Sequence, residues 1–365
     1  MNAREKIRRK AMRGMSAAAL GAAMTMSFGG APVEAADYTM AIAYLAPEEF
    51  GNEVHPALTH FKAIVEAGTN GAVEVQLFGG GQLGSEVETA KQAQDGMLLQ
   101  ASVISSGAMS SFYRNYQAVT APFLFPDYRA AHAFFDGPWF ADFMEGSIES
   151  SGLRYFGTFD DSGGFVAITN NKRLIKTVED IKGLKIRVEE NPAHMAVMKA
   201  LGASATPLPW GEVVTALSTG LADGQFNAPG VSRTYKLWEV NDYTTLSRHI
   251  YNTQAWVVSE KWYQSLPDEH QEVVIRAARE TIEIAHGISS MQAIQGWQAS
   301  CAEFKECYVL PVEERQKMDA IARPAWRSWI VDDFGLDADL VDGLLGEVDR
   351  IVAEQKAEDM DRYGR

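Results

Sequence analysis

The stretch of residues 177–229 constrains the fold of this chain more than any other. Its turns and apolar runs predict a short capped helix, a strand, a helix, a second short strand and another helix. Thr177 and Asp180 have the spacing of a capping box. Within the strand of residues 184–188 apolar side chains alternate with basic ones, so Arg187 leaves the face that its apolar neighbours bury. Helices alternating with short strands are typical of an α/β protein.

The chain resembles the solute-binding proteins of TRAP transporters, of the C4-dicarboxylate-binding type. The resemblance rests on the segments DIKGLKIRV, PLPWGEVVTALSTGLADGQFN, TNGAVEVQLFGGGQLGSEVE and APFLFP, and it extends over nearly all of the chain after residue 35. It implies the two-domain fold of periplasmic binding proteins, with a ligand cleft and one long helix that bridges both domains.

The element order divides the chain into a leader and two domains. Residues 1–35 are the expected signal peptide. The first domain is expected over residues 36–163 and 251–291, and the second over residues 164–250 and 292–365. A helical pattern from Asp268 to about Glu306 predicts the bridging helix, with ~39 residues and a length of roughly 58 Å.

The first 35 residues have the composition of an export signal. Six basic residues precede a weakly apolar run of small residues, and Ala35 ends a signal-peptidase site. The pair Arg8-Arg9 leaves the twin-arginine and the general secretory routes both open. No later stretch reaches the ~18 apolar residues of a membrane span. The mature protein is therefore expected in the periplasm, without direct membrane insertion.

The formal charge of −15 bears on the partners of this chain. The leader carries +4, so the remainder carries about −19. Such a surface repels nucleic acid and anionic lipid, and nucleic acid is not an expected partner. It also gives an anionic ligand no long-range attraction, so any anion site must be built locally.

Arg187 is the first candidate binding residue. A guanidinium offers a planar fork of donors that fits a carboxylate or sulfonate, and the resemblance implies that this arginine grips the acid group of the ligand. Asn227 can both donate and accept, and the resemblance implies a ligand contact. Trp210 either forms one side of the pocket or packs in the core.

Five further residues are candidates of a weaker kind. Ser105 and Ser106 follow a predicted strand, at the strand ends where open α/β sheets bind ligands, although a plain turn of small residues explains them too. Glu190 could accept from a ligand hydroxyl or amine, or lie exposed. Phe123 either borders the cleft or packs. His249 occupies a position where the family often has histidine, with a structural role as the alternative.

One position departs from the family pattern. Members often carry a second arginine just after a glycine–aromatic pair, and here Gly164-Phe165 is followed by Val166. The missing guanidinium favours ligands with one acid group over dicarboxylates.

Cys301 and Cys307 leave two alternatives open. Export permits a disulfide. On one continuous helix, however, six residues would separate them by roughly 9 Å of rise, beyond the ~7 Å limit for bonded Cα atoms. A disulfide therefore requires the helix to end between them.

The sequence contains no recognisable catalytic motif, and its seven histidines lack zinc-ligand spacing, so no catalytic residue, metal or cofactor is expected. The four glycines at positions 79–84 are interpreted as a turn before a capped helix, since no phosphate-loop lysine follows. The predicted function is capture of a small organic anion for a TRAP permease, which the resemblance implies has a large and a small membrane subunit. The alternatives are a binding component of another importer or sensor, and an enzyme on the same scaffold.

Overall fold

Nine strands form one mixed sheet in the computed structural model, which describes residues 36–364. The strands are β1 (Tyr38–Ala43), β2 (Val73–Phe78), β3 (Ala101–Ser105), β4 (Leu153–Asn170), β5 (Lys185–Val188), β6 (Ser204–Pro207), β7 (Gly224–Asn227), β8 (Tyr243–Ser259) and β9 (Glu306–Val309). The strand order is β2-β1-β3-β8-β4-β7-β5-β6, and β9 pairs with β8. The predicted mixed α/β fold is confirmed.

Twelve α-helices accompany the sheet within the described part of the chain. They are α1 (Val54–Gly68), α2 (Glu86–Asp95), α3 (Ser106–Ser110), α4 (Tyr128–Phe135), α5 (Pro138–Ser151), α6 (Pro192–Ala200), α7 (Val213–Thr219), α8 (Pro229–Thr234), α9 (Glu260–Tyr263), α10 (Asp268–Glu303), α11 (Val312–Ser328) and α12 (Ala338–Tyr363). Short 3₁₀ segments cover Arg114–Thr120, Val178–Ile181, Trp210–Glu212 and Leu237–Glu239, and a π turn covers Trp329–Asp333. None of the helices in residues 36–364 is long and apolar enough to cross a membrane.

Two long antiparallel strands connect the two parallel parts of the sheet. On one side β1 pairs in parallel with β2 and β3, and on the other β5 pairs in parallel with β6 and β7. Strands β4 and β8 run through both parts and pair with each other along their length. The two parallel parts therefore belong to one continuous sheet.

The pairing of β4 with β8 is interrupted at one place. The register shifts between Asp160 and Phe165 of β4, where Ser162, Gly163 and Gly164 all have positive φ. Arg248 in the partner strand also has positive φ. Strand β4 continues through this segment as one strand with a bulge. The glycines supply the backbone angles that such a bulge requires.

Helix α10 confirms the prediction of a long helix. It has 36 residues and packs against α1, β4 and α8. Its first half contributes Val274, Ala278 and Ile282 to an apolar cluster that includes the fully buried Trp256. The C-terminal half lies so close to α8 that a Cβ on Gly296 would lie 2.5 Å from the backbone of Pro229 and Gly230.

Helix α10 ends at Glu303, between the two cysteines. Strand β9 then begins at Glu306, and Cys301 and Cys307 form a disulfide with their Cα atoms 5.1 Å apart. The helix thus ends between the two cysteines, as a disulfide between them requires.

Several local predictions are confirmed at the level of single residues. Ser85 and Glu88 form the capping box of α2, and Thr177 and Asp180 form that of the 3₁₀ segment before β5. The strand predicted before Ser106 is β3, which ends at Ser105. The expected signal peptide lies outside the described residues.

Replacing Gly296 by Ala is expected to destabilise the protein by about 1–3 kcal/mol, because the new methyl group meets backbone atoms that cannot shift independently. Gly287 lies on the same helix, and a Cβ there meets nothing within 4 Å. The Gly287→Ala variant is the matched control and should gain up to about 1 kcal/mol from helix propensity. Urea unfolding of the three proteins measures both changes. Equal stabilities would show that the close approach of α10 to α8 carries no energetic weight.

Candidate functional site

A cavity lies where the ends of β3, β5 and β7 meet the loop after β1 and the bulge of β4. It encloses about 590 Å³ of space, part of which is open to solvent. Its lining consists of Leu45, Ala46, Pro47, Asn52, Glu53, Val54, Glu86, Ser105, Asp161, Ser162, Arg187, Glu189, Trp210, Asn227, Val231, Thr234, Tyr235 and Gln254.

Arg187 is held at the cavity by backbone rather than by an acid. It sits in the middle of β5 between β6 and β7 and is 3% exposed. Its Nε and Nη2 atoms donate to the carbonyl oxygen of Leu208, at 3.0 and 2.6 Å. In the described part of the chain no carboxylate oxygen lies within 4.0 Å of its guanidinium nitrogens. The remaining donors are available to a bound anion.

Asn227 is fixed by a chain of side-chain hydrogen bonds. Its Nδ2 donates to Gln225 at 2.8 Å, and its Oδ1 accepts from Asn252 at 3.1 Å. Gln225 in turn donates to Thr169 at 3.1 Å. The amide at the end of β7 is thereby oriented before any ligand arrives, and it keeps a second N–H and free lone pairs.

Trp210 forms an aromatic side of the cavity. Its ring meets that of Tyr235 edge to face, with the centroids 4.8 Å apart. The guanidinium of Arg187 lies 5.7 Å from the centre of the indole. The indole therefore lies beside the guanidinium of Arg187 in the cavity lining.

The loop after β1 also lines the cavity, and hydrogen bonds from Asn52 fix its conformation. The amide of Asn52 donates to the carbonyl oxygens of Pro47 and Glu49, and its Oδ1 accepts from the backbone of His55. The loop thus has a defined shape.

The chain matches the model of the family described as bacterial extracellular solute-binding protein, family 7, over residues 48–332. A TRAP periplasmic solute-binding protein from Ochrobactrum anthropi is 31% identical, and its solved structure superimposes with a TM-score of 0.76 over 88% of this chain and 98% of that one. This chain belongs to that family of solute-binding proteins.

Two other relatives extend the comparison. The sugar acid binding protein DctPAm from Advenella mimigardefordensis, solved with galactonate, is 26% identical with a TM-score of 0.79 over 86% of this chain and 98% of that one. The ectoine/5-hydroxyectoine-binding protein UehA of Ruegeria pomeroyi is 34% identical over 60% of this chain and 63% of its own length. The family is the periplasmic substrate-binding component of TRAP transporters and binds small organic acids.

The structure brings four of the eight predicted site residues of this TRAP binding protein to the cavity. They are Arg187, Asn227, Trp210 and Ser105. Glu190 is exposed and lines the adjoining cleft, which shares Arg187 and Trp210 with the cavity.

The other three predicted residues do not line the cavity. Ser106 is buried behind it, with its hydroxyl 3.4 Å from Glu189. Phe123 packs against the larger apolar cluster. His249 is fully buried, with its Nδ1 2.7 Å from the hydroxyl of Ser247, and burial lowers its pKa to about 3. A neutral, enclosed imidazole is a structural group.

Sequence reasoning missed four carboxyl groups that line the cavity. They belong to Glu53, just before α1, to Glu86 in α2, to Asp161 in β4 and to Glu189, just after β5. In the sequence Glu86 looks like an ordinary acid in the first turn of a helix, and Asp161 like part of a glycine turn. Only the fold brings them together.

Burial raises the pKa of each of these carboxyl groups. The pKa of Glu53 rises to about 8, and those of Glu86 and Asp161 to about 7. Desolvation is the largest cause, and the neighbouring carboxylates add to it. Ser105 opposes this for Glu86, because its backbone N–H and hydroxyl both donate to that carboxylate, at 2.8 and 2.7 Å.

A second group of titratable residues lies away from the cavity. His132 and His286 stack with their ring centroids 3.6 Å apart, and both contact the same oxygen of the buried Asp160, at 2.8 and 3.4 Å. These three side chains could hold a metal ion, which would have to replace their mutual hydrogen bonds. The three residues are far apart in the sequence, so no short metal-ligand motif indicates this group.

Hydrogen bonds from the imidazole to Asp136 and Asp160 raise the pKa of His286 to about 9 against the opposing effect of burial. The raised value means that His286 stabilises the fold fully below its unfolded pKa of about 6.5 and that this contribution is lost as pH rises through 9. We expect the wild-type protein to lose roughly 2–3 kcal/mol relative to His286→Asn between pH 6.5 and 9.5. Urea unfolding across this range measures the difference, and His60→Gln, a surface change on α1, is the control. Parallel wild-type and His286→Asn curves would contradict the ion-pair assignment.

Proposed function

We propose that this protein captures a small organic acid in the periplasm, after export through its leader, and delivers it without chemical turnover to a TRAP permease of large and small membrane subunits. The observation that carries the proposal is Arg187, a buried strand arginine facing a cavity with no acidic partner within 4.0 Å among the described residues. A buried cation in this position is suited to an anion from outside the chain.

Each polar group has a distinct role in the proposed complex. Arg187 binds the acid group through two parallel hydrogen bonds, which its planar fork permits. Asn227 orients that group with its free N–H. Trp210 and Ser105 define the shape of the space around it. The names of the relatives are consistent with this, since galactonate and ectoine are both small organic acids.

Closure of two domains around the ligand is the proposed mechanism. The boundaries at residues 163/164 and 250/251 coincide with the interrupted pairing of β4 and β8. A bulge with positive φ values in one strand and a positive φ in the other can absorb a change of backbone angle. The ligand stabilises the closed form because it contacts both domains there.

Replacing Arg187 by Ala or Lys is expected to weaken binding by about 2–5 kcal/mol, the cost of truncating one member of a buried charged pair. Arg154 is the matched control, since it also lies on a strand but pairs with Glu260 outside the cavity. Titration calorimetry with a ligand identified by mass spectrometry of the purified protein measures the change. Unchanged affinity in both Arg187 variants would remove this residue from the site.

Acids with one carboxylate should bind better than diacids of the same length, because a single guanidinium and four carboxyl groups line the cavity. Butyrate and succinate make a direct comparison in a thermal-shift assay at equal concentration. At equal concentration the ligand with the higher affinity raises the unfolding midpoint more. The largest shift coming from succinate would contradict the proposal for a monoacid site.

A further inference from the structure

The charges that line the cavity do not match a ligand that is only an anion. Four carboxyl groups and one guanidinium face the same space, and none of these carboxyl groups has a cationic partner within 4.0 Å among residues 36–364. An anion bound to Arg187 would bring a further negative charge into this enclosure. Buried charges require compensation by opposite charge or by protonation.

Glu53 is the carboxyl group of the cavity that has a buried oxygen without a hydrogen-bond partner in the described part of the chain. It is 1% exposed, at the N-terminus of α1. Its Oε1 accepts from the backbone N–H of Ser162 at 2.7 Å, whereas its Oε2 is buried and has no hydrogen-bond partner in the described part of the chain. A buried acceptor in a cavity lining normally has a partner, and here the cavity is the remaining place for one.

Glu53 and Arg187 belong to different parts of the cavity lining. Arg187 lies on β5, and Glu53 follows the loop after β1, with β3, β8, β4 and β7 between β1 and β5 in the sheet. Glu189, Glu86, Asp161 and Glu190 act electrostatically on Arg187, whereas Asp161 and Asp160 act on Glu53. No ion pair within 4.0 Å joins Glu53 to Arg187 among the described residues, so the cavity lining presents them as two separate charged groups.

We infer that the ligand is a zwitterion, with an acid group on Arg187 and a positively charged nitrogen group facing Glu53 and Asp161. This inference rests on the proposed function and specifies its substrate class. A nitrogen cation supplies the donor or the countercharge that Glu53 Oε2 lacks, and it offsets the repulsion between the carboxyl groups. The ligand chemistry is that of amino acids, betaines and cyclic amidinium acids.

The raised pKa values of the cavity carboxyl groups make the affinity for a zwitterion depend on pH. A cation binds the ionised form of these carboxyl groups, and the pKa of Glu53 is about 8 without it. Zwitterion binding therefore releases a proton, and its affinity should rise about 50-fold between pH 6 and pH 8. An acid without a cation favours the protonated carboxyl groups, so its affinity should fall over the same range.

The test uses pairs of ligands that have the same shape and differ by one positive charge. Glycine betaine is paired with 3,3-dimethylbutanoate, L-proline with cyclopentanecarboxylate, and 5-aminopentanoate with hexanoate. Each is titrated into the purified protein at pH 6, 7 and 8, with and without added calcium or sodium. The variants are Glu53→Gln, which keeps the acceptor for Ser162 but removes the charge, and Glu49→Gln, an exposed acid in the same loop, as the control.

At least one zwitterion is expected to bind tenfold or more tightly than its carbon analogue at pH 8. That preference should disappear in Glu53→Gln and persist in Glu49→Gln. Binding of the carbon acids by Glu53→Gln shows that the variant is folded.

Three results would overturn the inference: carbon acids that bind as tightly as their zwitterions, a preference that survives Glu53→Gln, or acids that bind only with calcium or sodium. If carbon acids alone bind, through Arg187, the proposed function stands and the zwitterion does not. If neither class binds, both fall.

Discussion

The site depends on the way in which one guanidinium is buried. Arg187 emerges from the interior of a sheet, and burial opposes its charge. The carbonyl oxygen of Leu208 takes two of its donors, which fixes the plane of the group without neutralising it. A carboxylate in the place of that carbonyl would have satisfied the cation and closed the site. The backbone partner therefore keeps the arginine both ordered and available.

The arrangement around this arginine follows from a sheet with two parallel parts. Because β4 and β8 traverse both parts, the strand ends of one part and the loops of the other come to border the same cavity. Helix α10 crosses the bulge of β4 and presses on α8, whose residues Val231 and Thr234 line the cavity. The contact between α10 and α8 therefore both stabilises the fold and positions residues of the cavity lining.

Sequence patterns predicted the parts of this protein that depend on local rules. Strand β5, the capping boxes and the long helix follow from alternation, cap spacing and helical periodicity, each of which acts over a few residues. The position of Arg187 followed from alternation together with a family resemblance.

The carboxyl groups of the cavity could not be predicted in that way. Glu53, Glu86 and Asp161 each have an ordinary local reason to be acidic, and their proximity is created by strand pairings between distant segments. His249 shows the converse, since a suggestive residue type became a neutral core group once its neighbours enclosed it. Burial and proximity are properties of the whole fold, whereas a sequence pattern reports only on its own segment.

The hydrogen bond from the Ser162 backbone to Glu53 connects the start of α1 with the bulge in β4. In the inferred complex the Oε2 atom of this carboxyl group contacts the ligand, while its Oε1 atom accepts from the backbone of the bulge. Any rearrangement of that bulge shifts the acid, and any countercharge placed on the acid is transmitted to the bulge. The two oxygens of this one side chain therefore couple ligand binding to the backbone conformation of the bulge in β4.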